Sequence, residues 1–157
     1  MIIGDNMDDY KYTSRSEEDT IALAQNIESE KFPNMIIGLN GELGSGKTVF
    51  VKGFASSLGI SEVITSPTFN LVKEYPMGEL PLYHMDVYRL EDDKNKSGLE
   101  EYFEKKGITI IEWADLIKES LPEERLDIYI KIIDENTRII ILKPYGKIYE
   151  DICNAVL

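Results

Sequence analysis

The chain has 157 residues, 43% of them hydrophobic and 29% charged, the balance of a soluble globular protein with one full core, and we expect a single domain over residues 1–157. Its 29 acidic residues outweigh 17 basic ones, giving a net charge of −12, so it lacks the basic footprint of a protein that grips nucleic acid unaided. One cysteine, Cys153, excludes an internal disulfide and any multi-cysteine metal site; the acidic start is too polar for a signal peptide and no apolar run has transmembrane length, so the expected location is cytoplasmic and away from membranes.

In chain order, Tyr10–Thr13 reads as an edge strand. Ser16 followed by Asp19 has the spacing of a capping box, and Ile21, Leu23, Ala24 and Ile27 give the helix behind it an apolar face. Lys31-Phe32-Pro33-Asn34 ends that helix, and Met35–Leu39 reads as a short buried strand. The strand runs into Gly41-Glu42-Leu43-Gly44-Ser45-Gly46-Lys47-Thr48, which fits the phosphate-loop pattern G-x-x-x-x-G-K-[ST] without a gap. Val49, Phe50, Phe54, Ala55 and Leu58 then recur at helical spacing, with Gly59 as the stop. Strand, glycine loop and helix in this order are the context that the pattern requires.

The chemistry of that loop follows from its residues. Phosphate oxygens need many donors close together, and backbone N–H groups supply them where glycines let the chain wrap tightly. The helix starting near Gly46 turns its positive end to the phosphates. Lys47 has the reach for β- and γ-phosphates, and the Thr48 hydroxyl is placed to ligate Mg²⁺.

Beyond Gly59, Ile60–Phe69 is polar and holds Ser66-Pro67-Thr68-Phe69, so a loop beside the nucleotide is expected. Asn70–Tyr75, a turn at Pro76–Glu79, and the run Leu-Pro-Leu-Tyr-His-Met-Asp-Val-Tyr-Arg-Leu over 80–90 read as a hairpin. On its second strand Tyr83, Met85 and Val87 form a core face, while Leu82, His84, Asp86 and Tyr88 share the other. A carboxylate in that setting needs a cation, Mg²⁺ or backbone donors, with Arg89 as one structural partner; for His84 a structural role is the better reading. Glu91–Ser97 reads as a solvated linker and Leu99–Lys106 as a short amphipathic helix closed by Gly107. Ile108–Ile111 has the unbroken apolarity of a buried parallel strand and runs into Glu112-Trp113. An acid at that strand end sits where ligands bind in open α/β sheets, and it suits holding Mg²⁺ or its waters, or orienting an attacking water. Leu116, Ile117 and Leu121 suggest a short surface helix. Arg125–Ile133 and Arg138–Leu142 suggest a hairpin around Asp134–Thr137, and Gly146–Leu157 a closing helix on Ile148, Ile152 and Val156, with Cys153 as a small apolar residue.

Three classes of phosphate-loop protein compete. A GTPase would show N-K-x-D and D-x-x-G, and neither occurs. A small-molecule kinase needs several arginines to neutralise two phosphorylated substrates, whereas this chain has four, Arg15, Arg89, Arg125 and Arg138, in no cluster. A regulatory ATPase needs only the loop, one or two acids and mobile segments that report the γ-phosphate.

GELGSGKT, SPTF, YHMDVYRL and IEW, in this order and spacing, resemble the TsaE family of bacterial ATPases that assist threonylcarbamoyladenosine synthesis in tRNA. The resemblance spans roughly Ser16 to Pro144; it departs at Val49, where the family commonly has a second threonine. It implies a phosphate-loop NTPase-like three-layer α/β sandwich with a mixed, mainly parallel central sheet. It also implies ATP and Mg²⁺ as cofactors, and TsaD and TsaB as partners that hold the tRNA, so that tRNA is met only indirectly. Carried over, Glu42, Leu43, Gly44, Ser45, Gly46, Lys47, Thr48 and Val49 bind nucleotide, and Thr48 and Glu112 serve Mg²⁺. Lys47, Asp86 and Glu112 are catalytic, Ser66 and Thr68 belong to a switch-type loop, and Trp113 matters for activity. The activity implied is ATP hydrolysis coupled to tRNA modification. A small-molecule kinase is the alternative, and a nucleotide-sensing module with negligible turnover a third reading.

Overall fold

A computed structural model describes residues 10–67, 71–88 and 96–157. The expectations placed on Thr68, Phe69, Asn70, Arg89 and most of the linker over 91–97 lie outside the described residues.

The most apolar stretches form the middle of the sheet. Strand β2 (Ile36–Gly41) lies between β5 (Ile108–Glu112) and β6 (Arg125–Ile132), both parallel to it, and β4 (Leu82–Asp86) runs parallel on the far side of β5. Each of these strands is buried on both faces over most of its length, which is why they read as unbroken apolar runs instead of alternating ones. Antiparallel strands close the two sides: β3 (Val72–Tyr75) beside β4, and β7 (Arg138–Tyr145) beside β6. Strand β1 (Tyr10–Ser14) is the outer edge, so the seven-stranded order is β1-β7-β6-β2-β5-β4-β3. The sheet is mixed, with its four parallel strands in the centre, as expected for this α/β class.

Helices α1 (Glu17–Glu28), α2 (Lys47–Leu58) and α3 (Lys147–Val156) cover one face. Leu23, Ile27, Phe50, Phe54, Leu58, Tyr149 and Ile152 pack there with Ile37, Leu39, Ile110 and Ile128. The opposite face is covered by Leu99, Phe103, Ala114, Ile117 and Leu121 against Ile36, Met85 and Ile111. Leu99 and Phe103 belong to one 3-10 helix, Lys96–Glu104, and Ala114 and Ile117 to another, Ala114–Ser120, with Leu121 as its C-cap, where ordinary short helices were expected. The second is kinked at Ile117. Contact between α1 and α2 depends on Gly53, because a Cβ there would lie 3.0 Å from Ile21 Cα.

Local details follow the chemistry, with two corrections. Ser16 caps α1 by accepting from Asp19 N at 3.1 Å, but the Asp19 carboxylate takes the Arg15 N–H at 2.8 Å, so the reciprocal bond falls one residue before the cap. Helix α3 buries Tyr149, Ile152 and Cys153, whereas Ile148 is exposed. Tyr149 turns inward because its hydroxyl accepts the Ile36 N–H, tying the helix to the first residue of β2.

Candidate functional site

Strands β2, β4 and β5 end on one side of the sheet, and each delivers its chain to the same place. The loop after β2 turns through Gly44 (φ 82°) and Gly46 (φ 111°), backbone angles that suit glycine, and α2 begins at Lys47. Gly41 allows an equally close approach, since a Cβ would fall 2.5 Å from Ser45 Oγ and 2.7 Å from Ile130 O. The Lys47 ammonium bridges Gly41 O (2.6 Å) and Glu42 O (3.1 Å) and lies 4.0 Å from the centre of the Trp113 ring. Burial holds this ammonium below its usual range, while nearby Glu112 and Asp86 oppose that shift.

A cavity of about 260 Å³ opens between the loop and the strand ends. Leu43, Gly44, Gly46, Lys47, Thr48, Val49, Ser66, Asp86, Glu112 and Trp113 line it. The expected site residues are therefore brought together, apart from Glu42 and Ser45. Glu42 is exposed at the loop's start, and Ser45 is buried beneath it. Thr68 is outside the described residues. Thr48 Oγ1 and Ser66 Oγ are 3.2 Å apart, which joins the first turn of α2 to the polar loop.

The two acids sit differently. Asp86 is half-buried and accepts the Tyr88 N–H at 3.1 Å. Burial pushes its carboxyl above the usual range; the Tyr88 N–H opposes this and Glu112 adds to it. Glu112 is almost fully enclosed, and His84 Nε2 lies 2.6 Å from its Oε2. His84, read from sequence as structural, makes its hydrogen bond to an acid that lines the cavity. It was findable from sequence only by noticing that it shares a face with Asp86.

Trp113 follows with a left-handed backbone (φ 64°, ψ 34°). A bulky residue holds that conformation only where its surroundings impose it, at a cost of about 1–3 kcal/mol. Here its N–H is fixed to Leu39 O at 2.8 Å, and its ring meets Tyr88 with centroids 4.7 Å apart. Asn40 Oδ1 holds the Asp115 N–H at 2.8 Å, and Tyr129 donates to Asp115 Oδ1 at 2.9 Å. The segment after Trp113 is thereby pinned to β2 and β6.

Arg138 was not expected at the site. Its guanidinium donates to Ser45 O (3.0 Å) and Gly44 O (3.3 Å) and so holds the phosphate loop from the β6–β7 hairpin. No sequence signal marks it, because its place is set by the pairing of two strands far from the loop. A smaller cavity of about 150 Å³ lies there, lined by Ser16, Thr20, Gly44, Gly46, Val49 and Arg138 among others.

The donor set fits a hard divalent cation. Two hydroxyls and two carboxylates offer oxygen only, and among the described residues lining the cavity Lys47 is the one cation, which leaves the two carboxylates short of positive charge. Among the described residues there is no group of three or more His, Cys, Asp or Glu able to hold a metal, so a metal here would rely on phosphate oxygens as well. No described helix is long and apolar enough to cross a membrane.

Residues 14–140 match the model of the family described as threonylcarbamoyl adenosine biosynthesis protein TsaE. The chain is 46% identical over 150 residues to the tRNA threonylcarbamoyladenosine biosynthesis protein TsaE of Bacillus subtilis (strain 168), covering 96% of this chain and 95% of the relative. It is 40% identical over 127 residues to the TsaE of Treponema pallidum (strain Nichols), covering 80% and 93%. Among solved structures, the crystal structure of Bacillus subtilis YdiB superposes with a TM-score of 0.83 at 42% identity, over 94% of this chain and 93% of that one.

Proposed function

The chain belongs to the TsaE family of threonylcarbamoyl adenosine biosynthesis proteins, and from that premise we propose that it binds and hydrolyses ATP as a component of the tRNA threonylcarbamoyladenosine machinery, acting with TsaB and TsaD. One observation carries this reading: Lys47, Thr48, Ser66, Asp86, Glu112 and Trp113 line a single cavity at the head of α2. No arginine lines that cavity among the described residues, which weighs against the alternative of a small-molecule kinase with two phosphorylated substrates.

Backbone N–H groups from Leu43 to Thr48 would cradle the phosphates. Lys47 would exchange its bonds to Gly41 O and Glu42 O for β- and γ-phosphate oxygens, a short swing for a flexible side chain. The recess between Ser16 and Arg138 shares Gly44, Gly46 and Val49 with the main cavity, and we assign the sugar and base to it. Thr48 and Glu112 would hold Mg²⁺, which neutralises charge on the β- and γ-phosphate oxygens when bound. Asp86, with its raised carboxyl pKa, is suited to take the proton of the attacking water. Ser66 touches Thr48, so occupancy of the Mg²⁺ side would be felt in the loop that follows. The strong acidity agrees with tRNA being held by partners.

Phosphate release measured with and without a TsaB–TsaD pair tests the proposal. Stimulated release of inorganic phosphate is expected. Transfer to a metabolite would mark a kinase, and no release in either condition would mark a binding module.

A further inference from the structure

His84 and Glu112 form a buried pair that the reaction outlined above leaves unexplained. Strands β4 and β5 are parallel, with His84 level with Ile110 and Asp86 level with Glu112. His84 therefore stands two residues behind the site, on the face that also carries Asp86. It is fully enclosed and Glu112 nearly so, at 0% and 3% exposure. The His84 Nε2–Glu112 Oε2 separation of 2.6 Å is that of a strong, charge-assisted hydrogen bond. The other ring nitrogen, Nδ1, has no hydrogen-bond partner among the described residues. A core position that needed only volume would cost less with an apolar residue, since each buried polar atom left unpaired carries a penalty. The imidazole makes its single hydrogen bond to the acid at the strand end.

That bond fixes more than an oxygen. Glu112 lines the cavity together with Lys47, and the two groups attract. A glutamate free to choose its rotamer at this spot has the Lys47 ammonium, on the same cavity, to pair with. Such a pair would hold the lysine away from phosphate and the carboxylate away from its task. With Oε2 tied back to His84, only Oε1 is left to the cavity.

We propose that His84 is a positioning residue for ATP hydrolysis: its Nε2–H holds the Glu112 carboxylate in the orientation the reaction uses and keeps it from pairing with Lys47. The proposal rests on the ATPase reading, but its test has a readout that does not. His84→Leu fills the space without a donor. His84→Gln places an amide N–H near the position of Nε2, and His84→Asn carries one too short to reach. With TsaB and TsaD present, His84→Leu and His84→Asn are expected to lower kcat about 10- to 100-fold, the usual loss when a group orienting a site ligand is removed. The KM for ATP, and calorimetric binding of a non-hydrolysable ATP analogue, should weaken by less than kcat falls, because bound phosphate competes with Glu112 for Lys47. His84→Gln should recover most of the rate. On a Glu112→Gln background, His84→Leu should cost nothing further. Without nucleotide, Trp113 emission should shift in His84→Leu, because Lys47 packs on that ring, and the shift should vanish when Glu112→Gln is added. Equal losses in the Gln, Asn and Leu variants, or a full additional loss on the Glu112→Gln background, would make His84 a packing residue and overturn the proposal. If the parent protein releases no phosphate, the ATPase reading fails, and the nucleotide-free emission series still decides the role of His84: no difference between His84→Leu and His84→Gln overturns it. If His84→Leu does not fold, the Gln and Asn comparison carries the test alone.

Discussion

Asp86 and Glu112 stand level on adjacent parallel strands, and both face the cavity that Lys47 enters. Two carboxylates with one neighbouring cation are poorly compensated, and the strain falls on Asp86, whose pKa is raised first by burial and further by Glu112. A carboxyl with a raised pKa in the folded state favours folding while it is protonated. Its contribution is full below the ordinary Asp range and is lost as pH rises through its own raised value. Asp86→Asn removes that loss. Thermal melts without nucleotide should therefore show Asp86→Asn more stable than the parent at pH 7, with the gap narrowing as pH falls toward 4. A variant less stable at pH 7 would mean that the Asp86 charge is satisfied within the fold.

Among the described residues Lys47 is the one cation lining the cavity, and its ammonium donates to two carbonyls. A charge-assisted contact is worth about 1.5–3 kcal/mol, so Lys47→Ala should weaken ATP binding roughly 10- to 150-fold. Calorimetry decides the matter, and unchanged affinity would remove the phosphate-loop assignment.

Much of this was legible because the informative residues carry local constraints. The phosphate loop needs glycines at fixed offsets, and Gly44 and Gly46 do adopt positive φ. The central strands show themselves by continuous apolarity, and Glu112 by being the charge where such a run stops. What stayed hidden depends on register and on distant pairing. Arg138 reaches Ser45 O from 93 positions away, and no local pattern records that. Apolar spacing alone predicted helices at Leu99–Lys106 and at Leu116–Leu121, whereas the winding is 3-10, since the same spacing serves both when the segment is short. In α3, Ile148 looked like the core contact, but the Tyr149 hydroxyl has a partner at Ile36 N that turns the helix by one residue.

The net charge of −12 sets an expectation for RNA. The isolated protein should bind tRNA no more tightly than the non-specific range of about 10⁻⁴–10⁻⁶ M at physiological salt. Nanomolar affinity of the lone chain in an anisotropy titration would refute the view that partners hold the tRNA.

Gly38 links the core to the site. A Cβ there would lie 2.9 Å from Ala114 Cβ and 3.0 Å from Asp127 Oδ1. Ala114 follows Trp113, so pressure at Gly38 is delivered to the strained residue beside Glu112. Gly38→Ala should cost about 1–3 kcal/mol in denaturant melts, as overpacking does, and should alter Trp113 emission. A variant of parental stability and emission would show that the 3-10 segment yields freely.

The acids themselves separate by their surroundings. Asp86 has a raised pKa and a half-open position, which suits a group that accepts a proton, whereas Glu112 is enclosed and held by His84, which suits a group that orients. With TsaB and TsaD present, Asp86→Asn should keep ATP binding yet lower hydrolysis by roughly 10²–10⁴-fold, the range for loss of a general base. Glu112→Gln keeps the shape and one acceptor oxygen, so its loss should be smaller and should lessen as Mg²⁺ is raised. Trp113 is the only tryptophan, so indole emission reports this one place; Mg²⁺-ATP should change it in the parent and in both variants, while Mg²⁺ alone should not. If Glu112→Gln is the deeper loss and is indifferent to Mg²⁺, the two roles are exchanged. If both variants hydrolyse ATP at the parent rate, neither acid is catalytic, and the site at these strand ends reduces to its phosphate loop.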